Sequence, residues 1–199
     1  MAELKKEGKI KYIGLSECSS ASLRRAHKIH PISAVQIEYS PFALDIESPQ
    51  TELLKTCREL GVAVVAYCPI GRGMLSGTIR SPDDFEEGDF RKMVPRFSKE
   101  NFSKNFKLVD LITGIAKDKG VTAAQLTLAW LMAQGTDIIP IPGTTKVARL
   151  EENLGALKIQ LSKEEEQKIR KACEETEIHG SRYPEAFMAS LFADTEEEK

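Results

Sequence analysis

Residues 62–67, VAVVAY, narrow the fold more than any other stretch of this chain. An apolar run of that length offers no polar face to water, so it predicts a strand buried on both faces in a parallel sheet. Gly61 just before it is the usual left-handed stop of a helix. That helix is read over residues 50–60, with Leu53, Leu54, Cys57 and Leu60 on one side. A helix feeding a buried parallel strand needs other strands beside it, joined by right-handed crossovers.

Those strands are present. Residues 10–15 alternate and are rich in β formers, with Tyr12 read as core, and residues 19–29 follow as a helix. It carries Leu23, Ala26 and Ile29 at helical intervals and Ser19 or Ser20 as its cap. Residues 33–37 are the next strand. Residues 137–153, DIIPIPGTTKVARLEEN, read as a strand, a turn and a helix start, with Thr144 and Thr145 supplying capping chemistry. In that helix Val147, Leu150, Leu154 and Leu157 form a stripe expected to pack inward. Four strands, near Ile13, Val35, Val64 and Ile139, alternate with helices, the order of a parallel α/β fold.

Three more helices complete the pattern. One runs over 107–119 with Leu108, Leu111, Ile112, Ile115 and Ala116; one begins at a Thr122/Gln125 capping box and carries Leu126, Ala129, Trp130 and Ala133. The last, 163–175, opens at a Ser162/Glu165 box and turns Ile169, Ala172 and Cys173 inward. The first six residues form a charged helical start. Residues 69–105 show no clear element, and the tail from Glu177 is weakly patterned.

With 199 residues and 41% hydrophobic content the chain is read as one domain with a substantial core. A formal net charge of −2 gives no electrostatic case for nucleic acid. Membrane partners are not expected either, because no apolar run approaches ~20 residues. The charged N-terminus is not a secretory signal. Cys18, Cys57, Cys68 and Cys173 are dispersed, without a C-x-x-C pair or a histidine at ligand spacing. No metal site is predicted, and reduced thiols in a cytoplasmic protein are the expectation. The acidic clusters at 164–166 and 196–198 read as solvated surface.

Residues 143–153 carry the strongest chemistry. A helix N-terminus attracts anions, and Lys146 and Arg149 add two cations within the first turns. Arg149, Glu152 and Asn153, three and four apart, can converge on one ligand. The same residues also suit a solvated helix end after a strand, and their spacing does not choose. Each strand ends in a polar or aromatic residue, Ser16, Gln36, Tyr67 and Thr144, where a (β/α)₈ barrel builds its sites. The GRGMLSG stretch lacks the G-x-G-x-x-G and Walker spacings.

KIKYIGLSE, AVQIEYSP, VAVVAYCPIGRGML and IIPIPGTTKVARLEENLGA together resemble the C-terminal half of an aldo-keto reductase, barrel strands five to eight. With GSRYPE at 180–185, the wording is most similar to the microbial and fungal branch. The resemblance implies a (β/α)₈ TIM-type fold with about half the barrel present: a single partial domain over 1–199, with β/α units over about 5–161 and a C-terminal helix and tail over 162–199. It implies NADP(H) as cofactor and an aldehyde or ketone as the small-molecule substrate. Tyr67 would stack on the nicotinamide, and Ser16 and Gln36 would bond its carboxamide. Many members carry Asn where this chain has Glu17. Pro69, Ile70, Gly71 and Gly73 would line the pyrophosphate. Gly143, Thr144, Thr145 and Lys146 would surround the 2′-phosphate with Arg149 as main cation, and Glu152 and Asn153 would meet the adenine.

The family's catalytic Asp, Tyr, Lys and His belong to its first four strands, so none is assigned here. A closed barrel needs about 250 residues and eight strands. The resemblance therefore implies the NADP(H)-binding half of a carbonyl reductase, inactive by itself, with self-association through open barrel edges as one consequence. Tyr39, with no nearby Lys or Asp identifiable, is read as structural or cofactor-adjacent. The alternative is a non-catalytic nucleotide-sensing or partner-binding module.

Overall fold

The computed structural model describes residues 1–196. Glu197 and Glu198 of the acidic tail cluster lie outside the described residues. After a short helix α1 (Ala2–Lys6), the chain alternates as β1 (Gly14–Ser16), α2 (Ser20–Ile29), β2 (Ala34–Glu38), α3 (Leu53–Leu60) and β3 (Ala63–Tyr67). Two helices, α4 (Lys99–Lys119) and α5 (Ala123–Ala133), precede β4 (Ile138–Pro140). Then come α6 (Val147–Gly155), α7 (Lys163–Glu175) and α8 (Glu185–Met188). The four strands form one sheet in the order β1-β2-β3-β4, every pair parallel.

Local chemistry sets most boundaries. Ser19 caps α2 by accepting from Ser22 N–H, and the Thr122/Gln125 and Ser162/Glu165 boxes close both of their bonds. Gly61 ends α3 in the left-handed region at φ 67°. The four strands stand where the alternation places them, although β1 is confined to Gly14–Ser16 and leaves Tyr12 outside it, exposed rather than core.

The register separates the two faces of the sheet. Leu15, Val35, Val64 and Ile138 form one cross-strand row. Except for half-buried Leu15, they are buried in the main apolar cluster with Ile37, Ala66 and Trp130. The next row, Ser16, Gln36, Val65 and Ile139, points the other way. Ser16, Gln36 and Ile139 are exposed and Val65 is half-buried. Residues 62–67 are thus not buried on both faces: Val64 and Ala66 are, and Ala63, Val65 and Tyr67 are only partly covered. One layer of helices packs one face; among the described residues no helix or strand is laid over Ser16, Gln36 and Ile139 on the other, and only Glu38 at its edge is buried.

The α6 stripe does not pack inward either. Val147 is 72% exposed, Leu150 49%, Leu154 53% and Leu157 69%. Ile29 and Leu111 are likewise outside the core. Residues 69–105 are more ordered than their sequence implies. Four 3₁₀ turns, Gly71–Ser76, Pro82–Asp84, Phe90–Met93 and Pro95–Phe97, press Phe85, Val94 and Phe97 against Phe102 of α4. Helix α4 begins at Lys99, capped by Ser98, eight residues before the sequence reading started it. Its first two turns are mostly polar, and Phe102 and Asn105 are their buried residues.

Candidate cofactor-binding site

At the carboxyl end of β3 the chain turns through Cys68 (φ 48°), Gly71 (φ 54°), Arg72 (φ 55°) and Gly73 (φ 94°). Positive φ is easily reached by glycine and strained for the other two. A side chain at Gly71 would put its Cβ 2.6 Å from the Phe42 ring. This turn and the β4–α6 turn enclose a cavity of about 340 Å³. It is lined by Pro69, Ile70 and Gly73 on one side and by Gly143, Thr144, Arg149, Glu152 and Asn153 on the other, with Cys68 and Arg72 also in its wall.

Eight of the fourteen predicted site residues therefore meet in one cavity. Gly71 is buried behind it, and Thr145 and Lys146 are exposed on the turn outside the lining. Ser16, Gln36 and Tyr67 lie on the uncovered sheet face rather than in the cavity, although Tyr67 directly precedes Cys68 in its wall.

The cavity suits an anion. Arg149 is exposed and makes no ion pair among the described residues. The expected threonine cap falls early: the Thr144 hydroxyl accepts from Lys146 N–H at 3.0 Å, and Lys146 itself is the N-cap residue of α6, which has no side-chain cap. Uncapped first-turn N–H groups beside a free guanidinium are what a phosphate needs. Gly143 has open space where a Cβ would stand. Burial pushes the Cys68 thiol up, so this cysteine is a wall rather than a nucleophile.

Behind the cavity lies a buried charge cluster that the sequence reading did not find. Glu38 is 2% exposed and faces three guanidiniums: Arg182 Nη1 at 3.3 Å, Arg72 Nη2 at 3.6 Å and Arg96 Nη1 at 4.0 Å. Burial pushes the Glu38 carboxyl up and the arginines oppose it. Those arginines come from three separate segments, so no local spacing signals the cluster. Tyr39, by contrast, is structural as expected: it is fully buried against Trp130, with its hydroxyl on Glu47, and burial raises its pKa. Among the described residues no group of His, Cys, Asp or Glu could hold a metal, and no helix is long and apolar enough to cross a membrane.

A parallel sheet with ligand-competent turns at its carboxyl edge is the arrangement of (β/α)-barrel enzymes. Among solved structures, the chain superposes on the glycerol dehydrogenase AKR11B4 from Gluconobacter oxydans with a TM-score of 0.80 at 23% identity, covering 90% of this chain and 54% of that one. At that identity the match speaks for the fold. The thermostable aldo-keto reductase Tm1743, solved with the inhibitor epalrestat, matches with a TM-score of 0.65 at 30% identity over 86% of this chain and 52% of that one.

The particular assignment follows from sequence. The Aldo/keto reductase family pattern matches residues 1–174, and the chain belongs to that family. The aldo-keto reductase yakc of Schizosaccharomyces pombe, whose name carries NADP(+), is 54% identical over 198 residues; the match covers 98% of this chain and 58% of that protein. The aldo-keto reductase str7 of Strobilurus tenacellus is 55% identical over 197 residues, covering 99% and 58%. The chain thus spans 58% of the length of both relatives.

Proposed function

We propose that this chain is the NADP(H)-binding half of an aldo-keto reductase barrel, a single partial domain supplying units five to eight. The observation that carries the cofactor assignment is the cavity in which a free Arg149, Thr144 and an uncapped α6 stand opposite Gly73 and Ile70. A guanidinium there answers a 2′-phosphate, which NADP has and NAD lacks. Glu152 and Asn153 in the same wall suit the adenine end, and Pro69, Ile70 and Gly73 the diphosphate, with Gly71 shaping the turn behind them. Thr145 and Lys146, on the exposed turn, add a hydroxyl and a cation at its rim.

Tyr67, Ser16 and Gln36 form the nicotinamide end. Ser16 and Gln36 are register partners on the exposed face, and a hydroxyl beside a primary amide can bond a carboxamide. NADPH supplies the hydride when bound, and the substrate class is aldehydes and ketones. The half-barrel reading is supported by a sheet with two free edges and one uncovered face, and by the 58% span of the relatives. Units carrying the proton donor would cover that face, together with the α6 stripe. The buried or half-buried free thiols fit a reducing cytoplasm. The uncovered α6 stripe also favours a second reading, a nucleotide-responsive module that binds a protein partner, including another copy of this chain.

Titration with NADPH and NADH separates these readings. The chain is expected to bind NADPH, and Arg149→Ala to weaken it about tenfold to a hundredfold while changing NADH by less than about threefold. Equal losses for both would remove the 2′-phosphate assignment. The chain alone is expected not to turn over a simple aldehyde and to do so once the complementary half is added. Turnover by the chain alone would overturn the half-barrel reading, and binding without turnover in the mixture would favour the module.

A further inference from the structure

The C-terminal segment, which has little pattern of its own, is anchored by a chain of specific contacts. Asn105 of α4 holds the His179 backbone on both sides, accepting from its N–H at 2.7 Å and donating to its carbonyl at 2.9 Å. Gly180 follows at φ 82°, where a Cβ would stand 2.7 Å from the Pro95 carbonyl carbon. Arg182 is then buried, 4% exposed, over the mouth of the sheet. Its Nη1 donates to Glu38 at 3.3 Å, Glu17 at 3.4 Å and the Tyr67 hydroxyl at 3.4 Å, and its Nη2 to Glu17 at 3.4 Å. The Phe192 ring lies under its guanidinium. Beyond it, Ala193 N–H donates to the Glu17 carbonyl at 2.8 Å, and Ser19 N–H to the Ala193 carbonyl at 2.9 Å.

Glu17 receives the Arg182 guanidinium and the Ala193 N–H. It stands at φ 48°, a strained value for its residue type. Its N–H donates to Gln36 carbonyl at 3.0 Å, and its carboxylate accepts from the Tyr67 hydroxyl. Tyr183 completes the ring of contacts, with its hydroxyl 3.3 Å from that of Tyr67 and its face 4.4 Å from the Arg72 guanidinium. Tyr67 is therefore fixed at its hydroxyl by a carboxylate from the residue after β1 and a guanidinium from the far end of the chain, on the same sheet face as Ser16 and Gln36.

We propose that Glu17 and Arg182 are positioning residues for the nicotinamide end of the site: by gripping the Tyr67 hydroxyl they set the plane of its ring, and they couple closure of the 180–195 segment to what stacks on it. This rests on the reading of Tyr67 as the aromatic platform. A ring already held in its bound orientation loses less freedom when a ligand stacks on it, so the grip appears as affinity. A merely structural ion pair would not require the Tyr67 hydroxyl.

The test is a set of variants in the full chain, titrated with NADPH by fluorescence, with hydrogen exchange followed over 180–195. Glu17→Ala, Arg182→Met and Tyr67→Phe are each expected to weaken NADPH about three- to tenfold. The double variant Glu17→Ala/Tyr67→Phe is expected to be no worse than the poorer single one. Bound NADPH slows exchange over 180–195 in the parent and not in Arg182→Met. Tyr67→Phe, which deletes one oxygen, keeps the test sound if a larger change unfolds. If Tyr67→Ala loses NADPH while Glu17→Ala and Arg182→Met bind as the parent does, the positioning role is overturned and the platform survives. Additive losses in the double variant also overturn it. If Tyr67→Ala, or the absence of NADPH binding by the parent, shows no platform, both fall together.

Discussion

The two faces of the one sheet share strands and register but not surroundings. On one, Val35, Ile37, Val64 and Ala66 are closed under helices α2 to α5. On the other, two residue positions away at most, Ser16, Gln36 and Ile139 are open. Apolar pattern states what a surface can bury, and only a neighbour decides whether it does. The contrast recurs between helices: α5 has eight of its eleven residues buried, and α6 none.

The largest expected effect lies on the packed side. Trp130 is fully buried, with Arg170 4.9 Å over its ring, so Trp130→Ala is expected to cost about 3–5 kcal/mol in urea unfolding. Ile139→Ala, on the open face and 50% exposed, is expected to cost under about 1 kcal/mol. Comparable losses would mean that the open face is covered in solution, which sedimentation at two concentrations would then reveal.

Next in size is the segment that borders the open face. Gly180→Ala would place a Cβ at a left-handed φ against the Asn101 side-chain amide and against the backbone of 95–96, and the backbone cannot yield as a side-chain tip can. About 1–3 kcal/mol is expected, read as faster proteolysis after residue 180 with the urea midpoint of the helical layer less affected. A variant as resistant as the parent would show that the segment does not need this turn.

What could be read in advance follows the same division. Strand and helix order, the Ser19, Thr122 and Ser162 caps and the Gly61 stop are set by residues within a few positions of each other, and those expectations hold. The contiguous β4–α6 motif likewise brings Gly143, Thr144, Arg149, Glu152 and Asn153 into one cavity wall, with Thr145 and Lys146 outside it. The Glu38 cluster and the Glu17–Tyr67–Arg182 contacts span up to 165 residues, so only the folded chain brings them together. The α6 stripe is apolar, as its spacing says, but exposed, because periodicity carries no information about the partner. Gly180 and Arg182, a glycine and a cation in a weakly patterned tail, are the available signal for the strap that residues 180–195 form.

A smaller effect sharpens the α6 side of the comparison. Leu150→Lys and Leu154→Lys are expected to leave stability within about 0.5 kcal/mol, since neither side chain is buried. They should lower any self-association or binding to a complementary half in sedimentation experiments. A stability loss above about 2 kcal/mol would instead mean that α6 packs on its own chain.

The smallest effect concerns the far end of the strap. Asp194 accepts from Ser19 and Ser22 hydroxyls at 2.8 Å each and from Arg25 at 2.6 Å. The Ser19 and Ser22 hydroxyls, then the Arg25 guanidinium, hold its carboxyl down at about 2, below its ordinary 3.8. A depressed carboxylate contributes its grip fully above the ordinary value and loses it as pH falls from about 4 through about 2. Because the group is exposed, the contribution is small and screened by salt. Exchange of the Ala193 and Thr195 amides is therefore expected to quicken, relative to its normal pH trend, across that window at low salt. Asp194→Asn, which still accepts a hydrogen bond but carries no charge, should exchange faster at neutral pH and show no such step. Protonation of the raised Glu38 carboxyl, which faces Arg72, Arg96 and Arg182 at the other end, would act at higher pH and persist in the variant. A step that survives Asp194→Asn between about pH 4 and 2 would show that the Asp194 carboxylate is not what anchors this segment.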